Sequence, residues 1–172
     1  AQKPYLTNVN WKNELIVLNT NRKSADFANY PVLYQTNGII LRVPDVYTDE
    51  PTVVAYSFNT IQDYNESMEE AFKNNWNNYN VETITDGAII RVWWYQTSDN
   101  ESGRWNISTI KCIDARDANW SNNKSFYDLF DEASRASELD YTRLNKNYCY
   151  TFVLRHPVNH MIIEYDAPSI VH

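Results

Sequence analysis

Glycine is scarce in this chain: there are 3 glycines among 172 residues. This scarcity excludes a glycine-rich phosphate-binding loop and long flexible linkers. Cysteine is limited to 2 residues, and neither has metal-ligand spacing to another cysteine or to a histidine, so a zinc site is not expected. No apolar run approaches the roughly 20 residues of a membrane-spanning helix, so no membrane partner is expected. Acidic residues outnumber basic residues, and the resulting net charge of -7 argues against nonspecific DNA binding.

Apolar and aromatic residues are plentiful, with 43% hydrophobic residues and 15% aromatic residues. A chain of this composition is too apolar to be disordered. Its length fits a single domain over residues 1–172, which would bury about 70% of the surface of the unfolded chain. The first residues, AQKPYL, show no signal-peptide pattern, so we expect an intracellular location.

Short runs rich in β-branched and aromatic residues predict most of the secondary structure as strands. Two of these strands form a central hairpin joined by residues 97–103. The predicted strands are Glu14–Asn19, Gly38–Val43, Thr52–Phe58, Ala88–Tyr95, Arg104–Cys112, Asn147–Arg155 and His160–Tyr165.

Two segments have the apolar spacing of amphipathic helices. Ser67–Asn74 begins with Ser67 and Glu70 at the spacing of a capping box. Ser125–Ala136 is the stronger prediction, with Ser125 and Asp128 placed to cap it. Strands with two or three helices predict an α+β fold built on antiparallel sheet.

Several polar residues are candidates for a site, each with a structural alternative. Asp86 and Gly87 predict a tight turn between strands, because Asp-Gly favours positive φ. Arg91 and Lys111 fall on the two hairpin strands, where we expect solvated charges that pair with neighbouring carboxylates. His156 and His160 flank a Pro-Val-Asn turn, and we expect both on its surface.

The predicted strands also contain two consecutive tryptophans and two cysteines, whose burial can be predicted. Trp93 and Trp94 are consecutive, so they point to opposite faces of a strand. We expect one in the core and the other under the second helix or exposed as a contact surface. Cys112 and Cys149 are expected to be small buried hydrophobes, with a disulfide between them as the alternative.

Two segments carry a family resemblance: Ile84–Ile89, ITDGAI, and Tyr150–Ile163, YTFVLRHPVNHMII. They resemble the Lys-x-Asp-Gly nucleophile motif and the Phe-Glu-x-x-x-Pro-x-Asn-Arg strand of the T4 RNA ligase 1 family of covalent nucleotidyltransferases. Asn37–Arg42, Val54–Glu66 and Asn106–Lys111 are similar to other family segments in the same order.

The resemblance implies an antiparallel-sheet nucleotidyltransferase domain, RNA-ligase-like, with flanking helices. It also implies a nucleotide site, in which Asp86 would face the ribose or a metal ion and Phe152 would lie near the purine. In an active member the cofactors would be ATP and Mg²⁺. The nucleotide-binding positions carried over are Asp86, Gly87, Arg91, Lys111 and Phe152.

The departures from the family pattern concern the chemistry itself. Ile84 stands where the family has its lysine, Val153 where it has Glu, and His160 where it has Arg. An aliphatic side chain has no lone pair with which to attack an α-phosphate. The family's later motifs, whose lysines hold the triphosphate, do not follow Tyr165 in this sequence. We therefore expect no catalytic residue, no cofactor, and a domain truncated relative to active ligases.

The resulting hypothesis is a catalytically inactive domain with a binding, structural or accessory role. The partner is unknown: a protein, a nucleotide or an RNA end all fit. Lysine-lacking versions of the pattern resemble proteins of large DNA viruses, so a viral protein in the host cytoplasm or virion is expected. One alternative is an active ATP-dependent RNA ligase fragment, in which either the chain is the front of a longer polypeptide or Lys73 or Lys111 replaces the missing lysine. The other is a carbohydrate- or protein-binding module.

Overall fold

The structure is a computed structural model that describes residues 6–23, 25–43, 50–96, 102–121, 124–159 and 161–172. Within these ranges, strands form three antiparallel sheets and two α-helices accompany them, which confirms the α+β class. The strands are β1 (Leu6–Lys12), β2 (Leu15–Thr20), β3 (Asn37–Arg42), β4 (Thr52–Ala55), β5 (Ala88–Tyr95), β6 (Arg104–Thr109), β7 (Asn119–Ser121), β8 (Lys124–Ser125), β9 (Cys149–Arg155) and β10 (Ser169–Val171). The helices are α1 (Glu66–Asn75) and α2 (Phe126–Ala136).

The first sheet is a meander in the order β1-β2-β3-β4. Its opening turn places Asn13 at a φ of 56°, a left-handed conformation that asparagine tolerates better than most residues. Val17 of β2 lies opposite Ile40 of β3, and both are fully buried. One face of this sheet therefore contributes directly to the core.

The second sheet has the order β10-β9-β5-β6, and the predicted central hairpin of β5 and β6 is confirmed. Residues 97–101 of its predicted loop lie outside the described residues. β5 is buried on both faces, with Ile90 and Val92 on one side and Arg91 and Trp93 on the other. A strand covered on both faces explains why its sequence is almost continuously apolar.

Two apolar clusters place this second sheet in the middle of the molecule. Ile90 and Phe152 pack with Leu129 and Phe130 of α2 in one cluster. On the opposite face, Trp93 packs with the inward side chains of the first sheet. The resulting order is first sheet, second sheet and helix α2, a layered arrangement in which each apolar face is covered.

Helix α2 forms as predicted, because its apolar spacing and its cap agree. The Ser125 hydroxyl accepts from the Asp128 backbone N–H at 3.1 Å, and the Asp128 carboxylate accepts in return from the Ser125 N–H at 3.0 Å. This reciprocal capping box satisfies two backbone donors that the helix itself leaves unpaired. Leu129, Phe130 and Ala133 then face the second sheet.

Helix α1 also forms, but the prediction of its cap was wrong. Asn65 is the N-cap, and its side chain accepts from the Met68 backbone N–H at 3.0 Å. Helical geometry already begins at Glu66, so Ser67 lies inside the first turn and cannot be the capping residue. No side chain described in α1 is buried, so this helix lies on the surface.

Several strand boundaries differ from the predictions. The described part of His160–Tyr165 is not a strand, because backbone donors of that segment bond to a side chain instead of to a neighbouring strand. β4 ends at Ala55, before the predicted Phe58. β6 ends at Thr109, whose N–H turns to the carbonyl oxygen of Cys112 at 3.1 Å. β1 and β10 were not predicted.

Candidate functional site

Asp86 ties two segments of the chain together. Its Oδ2 accepts hydrogen bonds from the backbone N–H groups of Ile162 at 3.0 Å and Ile163 at 2.9 Å. The Tyr165 hydroxyl donates to the Asp86 carbonyl oxygen at 2.7 Å. The N–H groups of Ile163 and Ile162 hold the pKa of the Asp86 carboxyl below its ordinary value. The carboxylate therefore serves the protein's own backbone in this structure.

Gly87 is required by a close approach of two backbones. Its φ is 150°, and a Cβ at this position would meet Val153 Cγ1 at 2.7 Å and collide with the Leu154 carbonyl oxygen. The prediction of a tight turn between strands was wrong, because no strand precedes Gly87 in residues 81–86. Glycine is needed here to bring the start of β5 against β9.

Ile84, which the sequence resemblance aligns with a lysine, is 94% exposed. It belongs to residues 81–86, an irregular segment that leads into β5. Val153, which the sequence resemblance aligns with a glutamate, is half-buried in β9 beside Gly87. His160, which the sequence resemblance aligns with an arginine, lies outside the described residues.

Arg91 is fully buried between the two sheets, so the expectation of a solvated charge was wrong. Its Nη2 donates to the Thr109 carbonyl oxygen at 2.6 Å, and its Nη1 donates to the Gly38 carbonyl oxygen of β3. Its Nε has no hydrogen-bond partner among the described residues. Burial lowers the pKa of the guanidinium to about 10, which leaves it protonated at neutral pH.

The remaining two site candidates lie elsewhere. Lys111 is exposed on the turn that follows β6. Phe152 is buried in the cluster beneath α2, where it pairs in register with Ile90. Because neighbours along β5 point to opposite faces, Phe152 and Arg91 lie on opposite sides of the second sheet. The structure thus brings Asp86 and Gly87 together, and it distributes Arg91, Lys111 and Phe152 over different surroundings.

His156 is buried, so the prediction of a turn-surface position was wrong. Its Nδ1 accepts from the Val158 backbone N–H at 3.1 Å, which leaves Nε2 as the protonated nitrogen of the neutral ring. Nε2 lies 3.1 Å from Glu132 Oε2 of α2, and Lys124 Nζ lies 2.7 Å from Oε1 of the same carboxylate. Both ring nitrogens are therefore occupied by partners within the fold.

The consecutive tryptophans divide as expected between two faces. Trp93 is in the core, and its Nε1 donates to the Ser108 hydroxyl at 3.1 Å. Trp94 is half-buried against Trp105, and Lys146 Nζ lies 4.0 Å from the centre of one of its rings. Trp94 therefore stabilises a local aromatic group rather than presenting a fully exposed contact.

A polar cleft that the sequence analysis missed lies where the β1–β2 turn meets the ends of β5 and β6. It has a volume of about 270 Å³ and is lined by Lys12, Glu14, Tyr95, Arg104 and Asp114, among others. The Lys12 ammonium is 2.9 Å from Asp114 Oδ2, and the Tyr95 hydroxyl donates to Glu14 Oε1. Only the charged turn Lys12-Asn13-Glu14 hints at this cleft in the sequence.

The charges of this cleft compensate one another. The hydrogen bond from Tyr95 lowers the pKa of Glu14, and Arg42 Nε adds a second bond at 3.0 Å. Burial raises the pKa of the Tyr95 phenol, and the bond to Glu14 raises it further. Burial raises the pKa of Asp114, but the hydrogen bonds from Lys12 and the Arg116 backbone outweigh this effect. The pKa of Asp114 is therefore lowered. These groups already satisfy one another inside the fold.

Cys112 and Cys149 are both half-buried and unpaired, so the expected full burial was wrong and no disulfide joins them. Burial raises the pKa of the Cys149 thiol, which keeps it protonated at neutral pH. Among the residues described, no three histidine, cysteine or acidic side chains are grouped to hold a metal ion. The described helices are also too short or too polar to cross a membrane. No protein-family model, no curated protein and no solved structure matches the chain.

Proposed function

We propose that this chain is a catalytically inactive RNA-ligase-like domain that acts by binding another protein. The observation that carries the proposal is Ile84, an exposed aliphatic residue where the resemblance requires an attacking amine. The layered antiparallel sheets with a packed helix support the nucleotidyltransferase-type architecture that the resemblance implies.

The contacts of two other candidate residues, Asp86 and Arg91, also favour an inactive role. The Asp86 carboxylate is bonded to two backbone N–H groups, and the Arg91 guanidinium is bonded to two backbone carbonyls. A carboxylate or guanidinium that serves a substrate must exchange those bonds for bonds to the ligand. Both groups are instead committed to holding the fold.

The alternative of a replacement nucleophile finds little support in the surroundings of the two candidate lysines. Lys73 Nζ forms an ion pair with Glu69 at 2.6 Å on the surface helix α1. Lys111 is exposed on a turn. A nucleophilic lysine can be activated by desolvation, and neither of these exposed positions provides it.

Incubation with α-labelled ATP and GTP followed by a denaturing gel tests the proposal. We expect no retained label on the wild-type chain, and a retained label would contradict the inactive role. Ile84→Lys is the matched variant, and label on this variant alone would support the resemblance while assigning the inactivity to one side chain. An active RNA ligase run in parallel shows that the assay detects a covalent adduct.

Thermal denaturation with and without ATP or GTP separates nucleotide binding from protein contact. A ligand that binds the folded chain at about 100 times its Kd adds about 2.7 kcal/mol to the free energy of unfolding. We expect no change in melting temperature. A rise in melting temperature with ATP or GTP would show that the chain binds nucleotides and would contradict a role limited to protein contact.

A carbohydrate-binding module is the second candidate, and an exposed aromatic group favours it. Phe72 of α1 packs edge-on against Tyr79 at 4.6 Å and stacks with Tyr64 at 6.2 Å, and Trp76 beside them is largely exposed. Exposed aromatic rings of this kind can contact sugars. A glycan array tests this role, with Trp76→Ala as the variant that should lose any binding.

A further inference from the structure

Two joined surface segments present an unusual concentration of aliphatic side chains to solvent. Ile84, Ile162 and Val81 are 94%, 86% and 74% exposed, and Met161 and Ile163 are about half-exposed. These five residues are called the isoleucine surface below. Scattered exposed aliphatic residues are ordinary, but a group of them on adjoining segments marks an interaction surface.

The isoleucine surface is held in place by defined contacts. The Asp86 carboxylate fixes the backbone of Ile162 and Ile163, and the Tyr165 hydroxyl fixes the backbone of Asp86. The Asp86 end of residues 81–86 therefore lies beside Ile162 and Ile163, and Ile84 is two positions from that contact. A surface that is already organised loses little conformational entropy when a partner binds.

Within the two segments that carry the isoleucine surface, the aspartates and glutamates have no lysine or arginine among them. Residues 79–87 and 157–168 contain four carboxylates and no lysine or arginine. Asp86 is occupied by the backbone, whereas Glu82, Glu164 and Asp166 are exposed. Arg155, which borders the second segment, places its guanidinium 5.3 Å from the ring centre of Tyr165. An exposed apolar surface with an acidic rim attracts a partner that is apolar and basic.

We propose that the isoleucine surface docks a basic, amphipathic peptide segment of a partner protein. Aliphatic anchors of the peptide would cover Ile84 and Ile162, and its lysines or arginines would face Glu82, Glu164 and Asp166. This inference rests on the proposed function, because position 84 can serve contact only where it does not serve covalent chemistry. It adds the chemical class of the partner.

The same charges argue against the other occupants of such a surface. In a symmetric dimer the carboxylates of one copy would face those of its twin, and like charges at an interface are unfavourable. An anionic membrane would be repelled for the same reason. A basic peptide alone satisfies both the apolar centre and the acidic rim.

Fluorescence anisotropy with designed peptides tests the proposal. The probe is a fluorescein-labelled amphipathic helix of leucine and lysine, with a leucine–glutamate peptide and a serine–lysine peptide as matched controls. We expect the leucine–lysine peptide to bind, and to bind more weakly as salt is raised. Equal binding of the serine–lysine peptide would overturn the proposal, because the apolar centre would then contribute nothing. Binding of the leucine–glutamate peptide would overturn the proposed charge preference.

Paired variants assign the binding to this surface. The double variant Ile84→Asp with Ile162→Asp should weaken binding at least about tenfold. Val32→Asp, at another exposed aliphatic residue, is the control and should bind as the wild type does. Equal loss in the control, or no loss in the double variant, would overturn the proposal. Circular dichroism checks that each variant is folded.

Sedimentation velocity and nucleotide labelling distinguish the remaining outcomes. A wild-type dimer that becomes monomeric in the double variant would identify a second copy as the occupant and overturn the inference. A covalent nucleotide adduct would overturn the proposed function instead. Absence of peptide binding without any adduct would refute the inference and leave the inactive domain standing.

Discussion

Arg91 in the core and Asp86 near the surface both use a charged side chain to hold the protein's own backbone. Arg91 is bonded to carbonyl oxygens from both sheets, although charged residues are seldom buried without a charged partner. It stands between apolar neighbours of the predicted strand Ala88–Tyr95, where the sequence analysis expected a solvated charge. The sequence cannot reveal its acceptors, because Gly38 and Thr109 are distant along the chain.

Arg91→Ala is expected to lower the free energy of unfolding by about 3 kcal/mol or more. The change removes two hydrogen bonds, leaves the Gly38 carbonyl without this donor, and creates a cavity between the sheets. Urea denaturation followed by circular dichroism measures the loss. Lys111→Ala, at an exposed cation, serves as the control and should change stability by less than about 0.5 kcal/mol. A loss for Arg91→Ala as small as that of the control would contradict the bridging role.

The Asp86 contact is expected to weaken in acid. The pKa of Asp86 is lower in the folded chain than its ordinary value of 3.8, so its stabilising effect is full above pH 3.8 and is lost as the pH falls through the folded pKa. Amide chemical shifts of Ile162 and Ile163 should titrate with a midpoint below 3.8. Asp86→Asn should abolish that titration. A midpoint at or above the ordinary value would show that the carboxylate does not hold these amides.

Two elements with strong local signals, β5 and α2, were predicted well, whereas the cap of α1 and a segment that depends on distant partners were not. The apolar, β-branched and aromatic run of β5 and the capping residues of α2 are each contained within a few positions of the chain, so the sequence alone identifies both. Residues 161–165 look like a strand because they are apolar and β-branched, yet they bond to Asp86 instead of to another strand. Strand pairing is a long-range property that composition cannot determine.

The two helices are expected to respond differently to loss of their caps. Ser125→Ala should lower the free energy of unfolding by about 1 kcal/mol, because α2 covers the core and its cap is reciprocal. Asn65→Ala should reduce helical circular dichroism with little change in the global midpoint, because α1 has no buried side chain among those described. Equal shifts in the global midpoint would contradict this difference.

On the scale of the whole molecule, the second sheet is shared by both apolar clusters. Trp93 packs toward the first sheet, whereas Ile90 and Phe152 pack toward α2. The sequence indicated the antiparallel α+β class, because that follows from the elements present. It did not indicate the layer order or the polar cleft at Lys12 and Glu14, since both arise where distant segments meet.

Unfolding is expected to be a single cooperative transition. Loss of either outer layer exposes one face of β5, so neither apolar cluster is stable without the shared sheet. Urea curves from tryptophan fluorescence, near-ultraviolet circular dichroism and far-ultraviolet circular dichroism should coincide. Separated midpoints would show that the first sheet unfolds independently of the rest.

The placement of Arg91 also disfavours a shifted strand register during folding. If β3 slipped by one residue, the Gly38 carbonyl would turn away and the guanidinium would be enclosed without that acceptor. Burying a charge without hydrogen-bond partners costs far more free energy than burying a methyl group in a wrong position. Arg91 therefore favours the native register of β3 over a shifted one. A leucine at position 91 would not distinguish the two registers.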